Sequence, residues 1–229
     1  MDETLISQNS LIQKSQKIFD RLLERFGLTE WRIPLDAMDE LISTVLSQNT
    51  NDRNRDIAFF ALKTRFPTWD QVRDAELQTV IDLIRPAGLA NQKGARIQVL
   101  LREITAERGN LDLSFLKTYS AEEAQTWLTN FKGVGLKTAA IVKQFALGIP
   151  AFPVDTHVYR VSGRLGLRPE KMNVDQAHFH LAKLFTPDSY GTAHLNLIRL
   201  GREICHARKP DCDNCPLTDL CVYYSANSK

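Results

Sequence analysis

The sequence lacks the features that mark several specialised classes of protein. Lys and Arg exceed Asp and Glu by only two over 229 residues, so bulk charge does not indicate a nucleic-acid partner. No stretch approaches the roughly eighteen apolar residues of a membrane span. The opening residues, MDETLISQNS, show neither the cationic start nor the apolar run of a secretory signal. We therefore expect a cytosolic protein, in which thiols stay reduced.

Alternation of apolar and polar residues, the pattern of β-strands, is also missing. Apolar residues recur instead at helical spacing along almost the whole chain, and no array at a fixed period interrupts them. The pattern predicts an all-α fold. The predicted helices begin at or just after Asp36, Asp52, Asp74, Ser120, Gly135, Asp155 and Asn173.

The stretch FKGVGLKTAA contains a tight glycine turn between two predicted helices. Gly133 and Gly135 flank the short Val134, a pattern typical of the helix-hairpin-helix motif. Glycine permits the turn, and the amides that open the next helix suit a DNA phosphate. The alternative is a plain connection between helices. A weaker match to the same pattern occurs earlier, in RPAGLANQKGARI.

Lys137, at the start of the second hairpin helix, has two interpretations. It could attract phosphate, or it could be a nucleophile that attacks a sugar carbon as a neutral amine. Asp155, in the segment FPVDTH, follows eighteen residues later. One intervening helix could return the chain so that both residues face one cleft, with Asp155 stabilising a cationic sugar or handling protons. Asp155 is also explained as a helix N-cap.

All four cysteines lie near the C-terminus, at Cys205, Cys212, Cys215 and Cys221, with the spacing C-x6-C-x2-C-x5-C. A reduced compartment does not favour two disulfides. Structural zinc usually uses two C-x2-C pairs or a histidine pair, whereas one compact loop of four thiolates can hold a [4Fe–4S] cluster. The spacing alone leaves zinc and the cluster open.

The loop between the first two cysteines reads HARKPD and carries two adjacent cations. Arg208 and Lys209 sit on a short segment whose two ends are candidate metal ligands. Such a loop is suited to a phosphate contact. The alternative is a solvated turn.

Four segments together resemble endonuclease III and its relatives in the helix-hairpin-helix DNA glycosylase superfamily: LSQNTND, FKGVGLKTA, FPVDTH and the cysteine pattern. The resemblance covers residues from about 10 to 224. It implies a six-helix domain over 30–148 and a cluster domain formed by 1–29 and 149–229, with the two flanking a DNA-binding cleft. It also implies catalytic roles for Lys137 and Asp155 and a [4Fe–4S] cluster on the four cysteines.

The segment LSQNTND departs from the family, which commonly reads L-S-A-Q at this place. In the family this segment lines the cleft and fills the gap that the flipped base leaves. Aligned on Asp52, Asn49 takes the position of the family's glutamine, and Gln48 lies one residue earlier. Either residue is a candidate for the gap-filling role, and the alternative is a polar helix end.

The resemblance implies a base excision repair DNA glycosylase with AP lyase activity on damaged pyrimidines. Lys137 would attack C1′ and the strand would be cut by β-elimination. We expect a monomer in the cytoplasm, associated with the nucleoid, acting on double-stranded DNA with damaged bases or abasic sites. The alternatives are a thymine-mismatch or 5-methylcytosine-type glycosylase, whose relatives can read Q-N-T, and a non-catalytic DNA-binding module. Adenine-mismatch enzymes fit less well, because Thr44 stands where they carry a glutamate.

Overall fold

The computed structural model describes residues 3–29 and 34–227, and the predicted all-α fold is confirmed for them: the regular elements are helices, without a strand. The chain folds into two compact units. One is Pro34–Ile149, and the other combines the N-terminal helix with the residues from Pro150 onward. Among the described residues, no helix has both the length and the apolar character to cross a bilayer.

The α-helices of the described ranges fall in chain order as follows: α1 Glu3–Phe26, α2 Ala37–Ser47, α3 Asp52–Arg65, α4 Trp69–Asp74, α5 Leu77–Leu83, α6 Ala90–Arg108, α7 Ala121–Thr129, α8 Leu136–Ile141, α9 Thr156–Arg164, α10 Val174–Ala182, α11 Tyr190–Glu203 and α12 Val222–Asn227. Helix α8 continues directly into a π-helical segment, Val142–Leu147.

The core of the Pro34–Ile149 unit is centred on α2. Every residue of this helix from Ala37 to Leu46 is buried except Asp39, including the charged Glu40. Each fully buried leucine or isoleucine contributes on the order of 2 kcal/mol through removal of apolar surface from water. Helix α2 is thus packed on nearly all sides. Gln48 and Asn49 directly follow its C-terminal end, so their backbone is attached to a rigid element.

In the other unit the long α1 packs against α11, and α9 and α10 contribute to the same apolar core. Ile18 and Leu22 of α1 join a core that contains Val158, Val161 and Leu200, among others. Helix α1 ends at Phe26, where Gly27 takes a left-handed conformation with φ of 71°. This stop residue agrees with the usual preference for glycine after a helix.

Most of the predicted helix starts are confirmed by cap geometry. Asp36 accepts a hydrogen bond from the amide of Asp39, and Ser120 forms a reciprocal capping box with Glu123. Asn173 forms a second capping box at the start of α10. These signals involve residues three apart, so they act before any tertiary contact.

The prediction that Asp74 caps a helix is wrong. Asp74 is the last residue of α4 and forms an ion pair with Arg73, while α5 begins at Leu77 without a side-chain cap. Helix α4 begins after Thr68, which forms a capping box with Gln71. The capping signal was present in the sequence, but a six-residue helix is too short to show apolar periodicity.

Candidate functional site

The glycine hairpin needs its two glycines for different reasons. Gly133 has φ of 92°, and a Cβ there would lie 2.3 Å from Cδ of Arg96. Gly135 has φ of −90° and is surrounded by open space, so its missing side chain leaves room for an approaching group. Val134 is buried between them and anchors the turn in the core. Only Gly133 is therefore demanded by the fold, whereas Gly135 keeps the surface clear.

The N-terminus of α8 presents backbone amides and a cation at one place. Gly135 is the N-cap, and no side chain caps the first turn. Lys137 lies in that turn and is exposed, while the three residues that follow it are buried. Unfilled amides at the positive end of a helix favour anions, and DNA phosphate is one of them.

Gln48 is bound to the hairpin, although the two are far apart in sequence. Its Nε2 donates to the carbonyl of Gly133 at 3.2 Å, and its Oε1 accepts from Nη1 of Arg96 at 3.4 Å. Asn49 is exposed and has a left-handed backbone with φ of 54°. The structure thus brings the Gln48 segment to the hairpin, with the Gln48 amide engaged at both ends and Asn49 at the surface.

Two further residues of this unit were not singled out from the sequence. Lys93 is buried, and its Nζ donates to the carbonyl of Leu46 at 2.7 Å and to that of Ala87 at 2.8 Å. Leu89 is half exposed with φ of 49°. Strained residues cluster at functional sites, and exposed leucines can wedge between bases. The weak echo RPAGLANQKGARI contains both, and its glycine turn is the sequence signal nearest to them, but that signal does not distinguish Lys93 from other lysines.

Asp155 belongs to the other unit and is the N-cap of α9. One carboxylate oxygen accepts a hydrogen bond of 2.7 Å from the amide of Val158. Two histidines hold the preceding main chain: Nδ1 of His178 donates to the carbonyl of Phe152 at 3.1 Å, and Nδ1 of His194 donates to that of Pro153 at 2.9 Å. The capping interpretation of Asp155 is confirmed, and the cap fixes the orientation of its carboxylate.

Helix α9 also connects Asp155 to the cysteine segment. Arg160 donates to the carbonyls of Gly201 at 2.8 Å and Cys205 at 3.1 Å. One turn later, Arg164 donates to the carbonyl of His206 at 2.7 Å and approaches Sγ of Cys205 at 3.3 Å. These four contacts come from two arginines one turn apart on α9, so the position of α9 determines the position of the loop.

The four cysteines line a single pocket whose walls include Val161, Leu165 and Leu200. Burial raises the pKa of the Cys215 thiol, and negative charge on the other three cysteines raises it further. Sulfur also accepts hydrogen bonds here, from Arg164 to Cys205 and from the Tyr224 amide to Cys221 at 3.4 Å. Thiolates that repel one another in an apolar pocket fit a positively charged iron–sulfur core.

The arrangement of possible metal-binding side chains also bears on the alternative, a single zinc ion. Within residues 3–29 and 34–227, no three His, Cys, Asp or Glu side chains converge to hold one metal ion. A four-iron cluster does not require such convergence, because each thiolate binds a different iron atom. Four cysteines that line one pocket supply one thiolate for each iron atom, so the residues present fit the cluster.

Arg208 and Lys209 lie exposed on the loop between Cys205 and Cys212. Lys209 has a left-handed backbone with φ of 51°. The carbonyls of His206 and Ala207, just before the two cations, are held by Arg164 at 2.7 and 3.0 Å. The loop is thus supported from inside while its cations face solvent.

Comparison with protein families first defines the class. Residues 42–187 match the family described as HhH-GPD superfamily base excision DNA repair protein, which is more than half of the chain. The chain therefore belongs to this superfamily of base excision DNA repair proteins. Residues 205–221 match the iron-sulfur binding domain of endonuclease III, which assigns a [4Fe–4S] cluster to this chain.

Individual relatives narrow the class to endonuclease III. The chain is 34% identical over 191 residues to endonuclease III of Sulfolobus acidocaldarius, covering 82% of this chain and 83% of that protein. It is 32% identical over 194 residues to endonuclease III of Thermotoga maritima, covering 85% and 86%. A protein of Arabidopsis thaliana that carries the name of a DNA glycosylase is 41% identical over 145 residues, or 63% of this chain. This chain spans about half the length of that Arabidopsis protein.

Solved structures agree with these relatives. A non-covalent endonuclease III–DNA complex superimposes with a TM-score of 0.83 at 28% identity, covering 95% of this chain and 98% of the other. A thermostable thymine-DNA glycosylase gives a TM-score of 0.80 at 22% identity, covering 93% and 98%, and shares the fold. The predicted resemblance to the endonuclease III family is thereby confirmed.

Proposed function

We propose that this chain is a base excision repair DNA glycosylase with AP lyase activity that acts on damaged pyrimidines in double-stranded DNA. The observation that carries the proposal is Lys137, an exposed amine in the first turn of α8, directly after the glycine hairpin. A backbone phosphate on the uncapped amides of that turn would bring a deoxyribose close to the amine.

The reaction begins when the damaged base leaves the stack, which costs a few kcal/mol and less for a damaged base. The neutral amine of Lys137 attacks C1′, the bond from C1′ to the base breaks, and the base departs with the bonding electrons and then takes a proton. The sugar ring opens to a Schiff base between Lys137 and C1′. Loss of a C2′ proton then breaks the bond from C3′ to its oxygen, which cuts the strand 3′ to the site.

Asp155 stabilises the positive charge that develops on the sugar as the base departs. The cap from Asp155 to Val158 keeps the carboxylate in one orientation during this step. Leu89 and one of the residues Gln48 and Asn49 occupy the space that the flipped nucleotide leaves. Gly133, Val134 and Gly135 form the phosphate-binding turn.

Cys205, Cys212, Cys215 and Cys221 are proposed as the four ligands of the cluster. When bound, the cluster would cross-link the 205–221 segment through its four thiolates. Arg208 and Lys209 contact backbone phosphates from the loop that this cross-link supports.

The proposal also covers the domain organisation and the oligomeric state. Residues 30–148 would form the six-helix domain, and 1–29 with 149–229 would form the cluster domain. The protein would act as a monomer where the cell keeps its DNA, and sedimentation of the protein with one duplex equivalent tests this stoichiometry.

Borohydride trapping tests the central claim. Wild-type protein mixed with an abasic duplex should form a reduced, stable protein–DNA adduct, because borohydride converts the Schiff base to an amine. Lys137→Gln should abolish trapping and strand cleavage while retaining DNA binding. The matched control is Lys132→Gln, which removes an exposed cation from the same hairpin and should still trap. Trapping by Lys137→Gln at the wild-type rate would show that the lysine only contacts phosphate.

A second set of substrates, T:G mismatches and 5-methylcytosine, rests on the reading Q-N-T at residues 48–50. A panel of duplexes decides between the sets: thymine glycol, dihydrouracil, uracil, T:G, 5-methylcytosine and an abasic site. Each is scored separately for base release and for strand cleavage. Base release confined to T:G or 5-methylcytosine would replace damaged pyrimidines as the substrate.

A further inference from the structure

Two loops of the Pro34–Ile149 unit carry a non-glycine residue in the left-handed backbone conformation. These residues are Asn49, after α2, and Leu89, before α6; in the described part of the chain, the third such residue, Lys209, lies in the other unit. Left-handed backbone is unfavourable for side chains other than glycine, least so for asparagine. It persists only where the surroundings hold it in place. Some contact must therefore hold both loops.

Lys93 makes contact with both loops through one side chain. Its Nζ donates to the carbonyl of Leu46, three residues before Asn49, and to that of Ala87, two residues before Leu89. Both carbonyls lie at the ends of helical segments, where no further turn supplies a donor. The lysine is 3% exposed, so water does not compete for these bonds.

Arg96 extends the same support to the hairpin. It lies three residues after Lys93 on α6, donates to Gln48 at 3.4 Å, and packs against Gly133. Residues three apart on a helix share a face. One face of α6 therefore fixes the Asn49 loop, the Leu89 loop and the hairpin relative to each other.

We propose that Lys93 is a positioning residue that holds the Asn49 and Leu89 loops at a fixed spacing, so that both enter the duplex together when a base is extruded. This inference rests on the proposed function. Insertion of side chains stabilises an extrahelical base only where they match the gap in the stack. A support that fixes the two loops in advance spares the cost of ordering them on binding.

The test compares Lys93→Met with Lys143→Met. Lys143 is the ideal control because it is another buried lysine in the same unit, also 3% exposed, and its Nζ also donates to a backbone carbonyl, that of Ala121 at 2.7 Å. Both substitutions remove a buried amine and keep an unbranched side chain that is one atom shorter. Of the two lysines, Lys93 alone contacts the Asn49 and Leu89 loops. An effect of general destabilisation should therefore appear in both variants, whereas an effect on the loops should appear in Lys93→Met alone.

Base release is measured on a paired lesion and on the same lesion in a small mismatched bubble, at a temperature where both variants are folded. Lys93→Met should lose about tenfold or more on the paired lesion and far less in the bubble, where the base is already unpaired. Lys143→Met should change both substrates alike. Equal losses by Lys93→Met on both substrates would show that the lysine is only a helix cap and would overturn the proposal.

Amide hydrogen exchange provides a readout that does not depend on activity. Residues 47–50 and 88–90 should lose protection together in Lys93→Met, and neither segment should do so in Lys143→Met. Protection lost in one loop alone, or in neither, would overturn the proposal. If the wild-type protein released no base from any lesion, the proposed function would fail, and the exchange result would still decide whether Lys93 couples the loops.

Discussion

Gln48 and Gly133, which are 85 positions apart in the sequence, are joined by a hydrogen bond of 3.2 Å from the glutamine side chain to the glycine carbonyl. The other end of the same amide receives Arg96. The Gln48 side chain is thus occupied by the hairpin, while Asn49 is exposed beside it. This relationship separates two residues that the sequence presented as equal candidates for filling the gap, and it favours Asn49.

Asn49→Gly should reduce base release from paired lesions by about tenfold and leave cleavage of abasic sites nearly unchanged. A filler stabilises an extruded base, and an abasic site has no base to extrude. Glycine is the clean deletion because φ at this position is 54°, whereas alanine would add backbone strain. Gln48→Ala should weaken both reactions, since it loses the hairpin contact. Equal losses on both substrates in Asn49→Gly would assign Asn49 a structural role.

Asp155→Asn should slow base release by about a hundredfold or more while preserving stability. Asparagine caps helices as well as aspartate does, so the substitution removes the charge and keeps the bond to Val158. Asp155→Ala should lose the cap as well, at about 1 kcal/mol of unfolding free energy. Asp155→Asn should still be trapped by borohydride on preformed abasic sites, where no base departs. Unchanged base release would leave Asp155 as an N-cap alone.

Purified protein should contain about four iron atoms and equivalent sulfide per chain, with a brown colour. Cys212→Ser should yield little folded protein, because residues 211–227 contain a single buried side chain, that of Leu217, to hold them without the cluster. Metal analysis and circular dichroism check the two statements. One zinc atom per chain with no iron would reverse the assignment.

Replacing the two cations of the cysteine loop should weaken binding to DNA of any sequence. Arg208→Ala with Lys209→Gly should reduce the slope of log K against log salt by up to about two, since each phosphate contact contributes roughly 0.9. Glycine is chosen at 209 because φ there is 51°. Lys171→Ala, an exposed lysine outside the loop, serves as the control. A slope unchanged from that of the control would identify the loop as a solvated turn.

Lys143 should make the stability of the protein depend on alkaline pH. Burial lowers the pKa of Lys143 from 10.5 to about 8. Between these values the unfolded chain binds a proton that the folded chain does not, so stability should rise with pH from about 8 to 10.5, by up to about 1 kcal/mol per pH unit. Below about pH 8 this dependence disappears. Melting temperatures are measured for the wild type and Lys143→Met between pH 8 and 10.5, and the wild type should gain stability relative to the variant as the pH rises. Melting temperatures that change with pH in the same way in both proteins would contradict the prediction.

Signals that act over a few residues determined much of the fold from the sequence. Ser120 and Asn173 predicted helix starts because the hydrogen bonds of their capping boxes are local. The cysteine spacing and the hairpin glycines identified the family because each motif lies within a short stretch of the sequence. Asp74 was misplaced because the adjacent helix is too short for its apolar pattern to be read.

The arrangement of the candidate site depended on contacts between distant segments. Lys93 reaches Leu46 across 47 positions, and Gln48 reaches Gly133 across 85. Which of Gln48 and Asn49 faces solvent follows from the packing of α2 against α6 and the hairpin, and not from the residues near them in sequence. A lysine that bonds two carbonyls looks like any other lysine in the chain, because hydrogen bonds to backbone groups carry no sequence pattern, and only the tertiary structure decides which carbonyls come within reach.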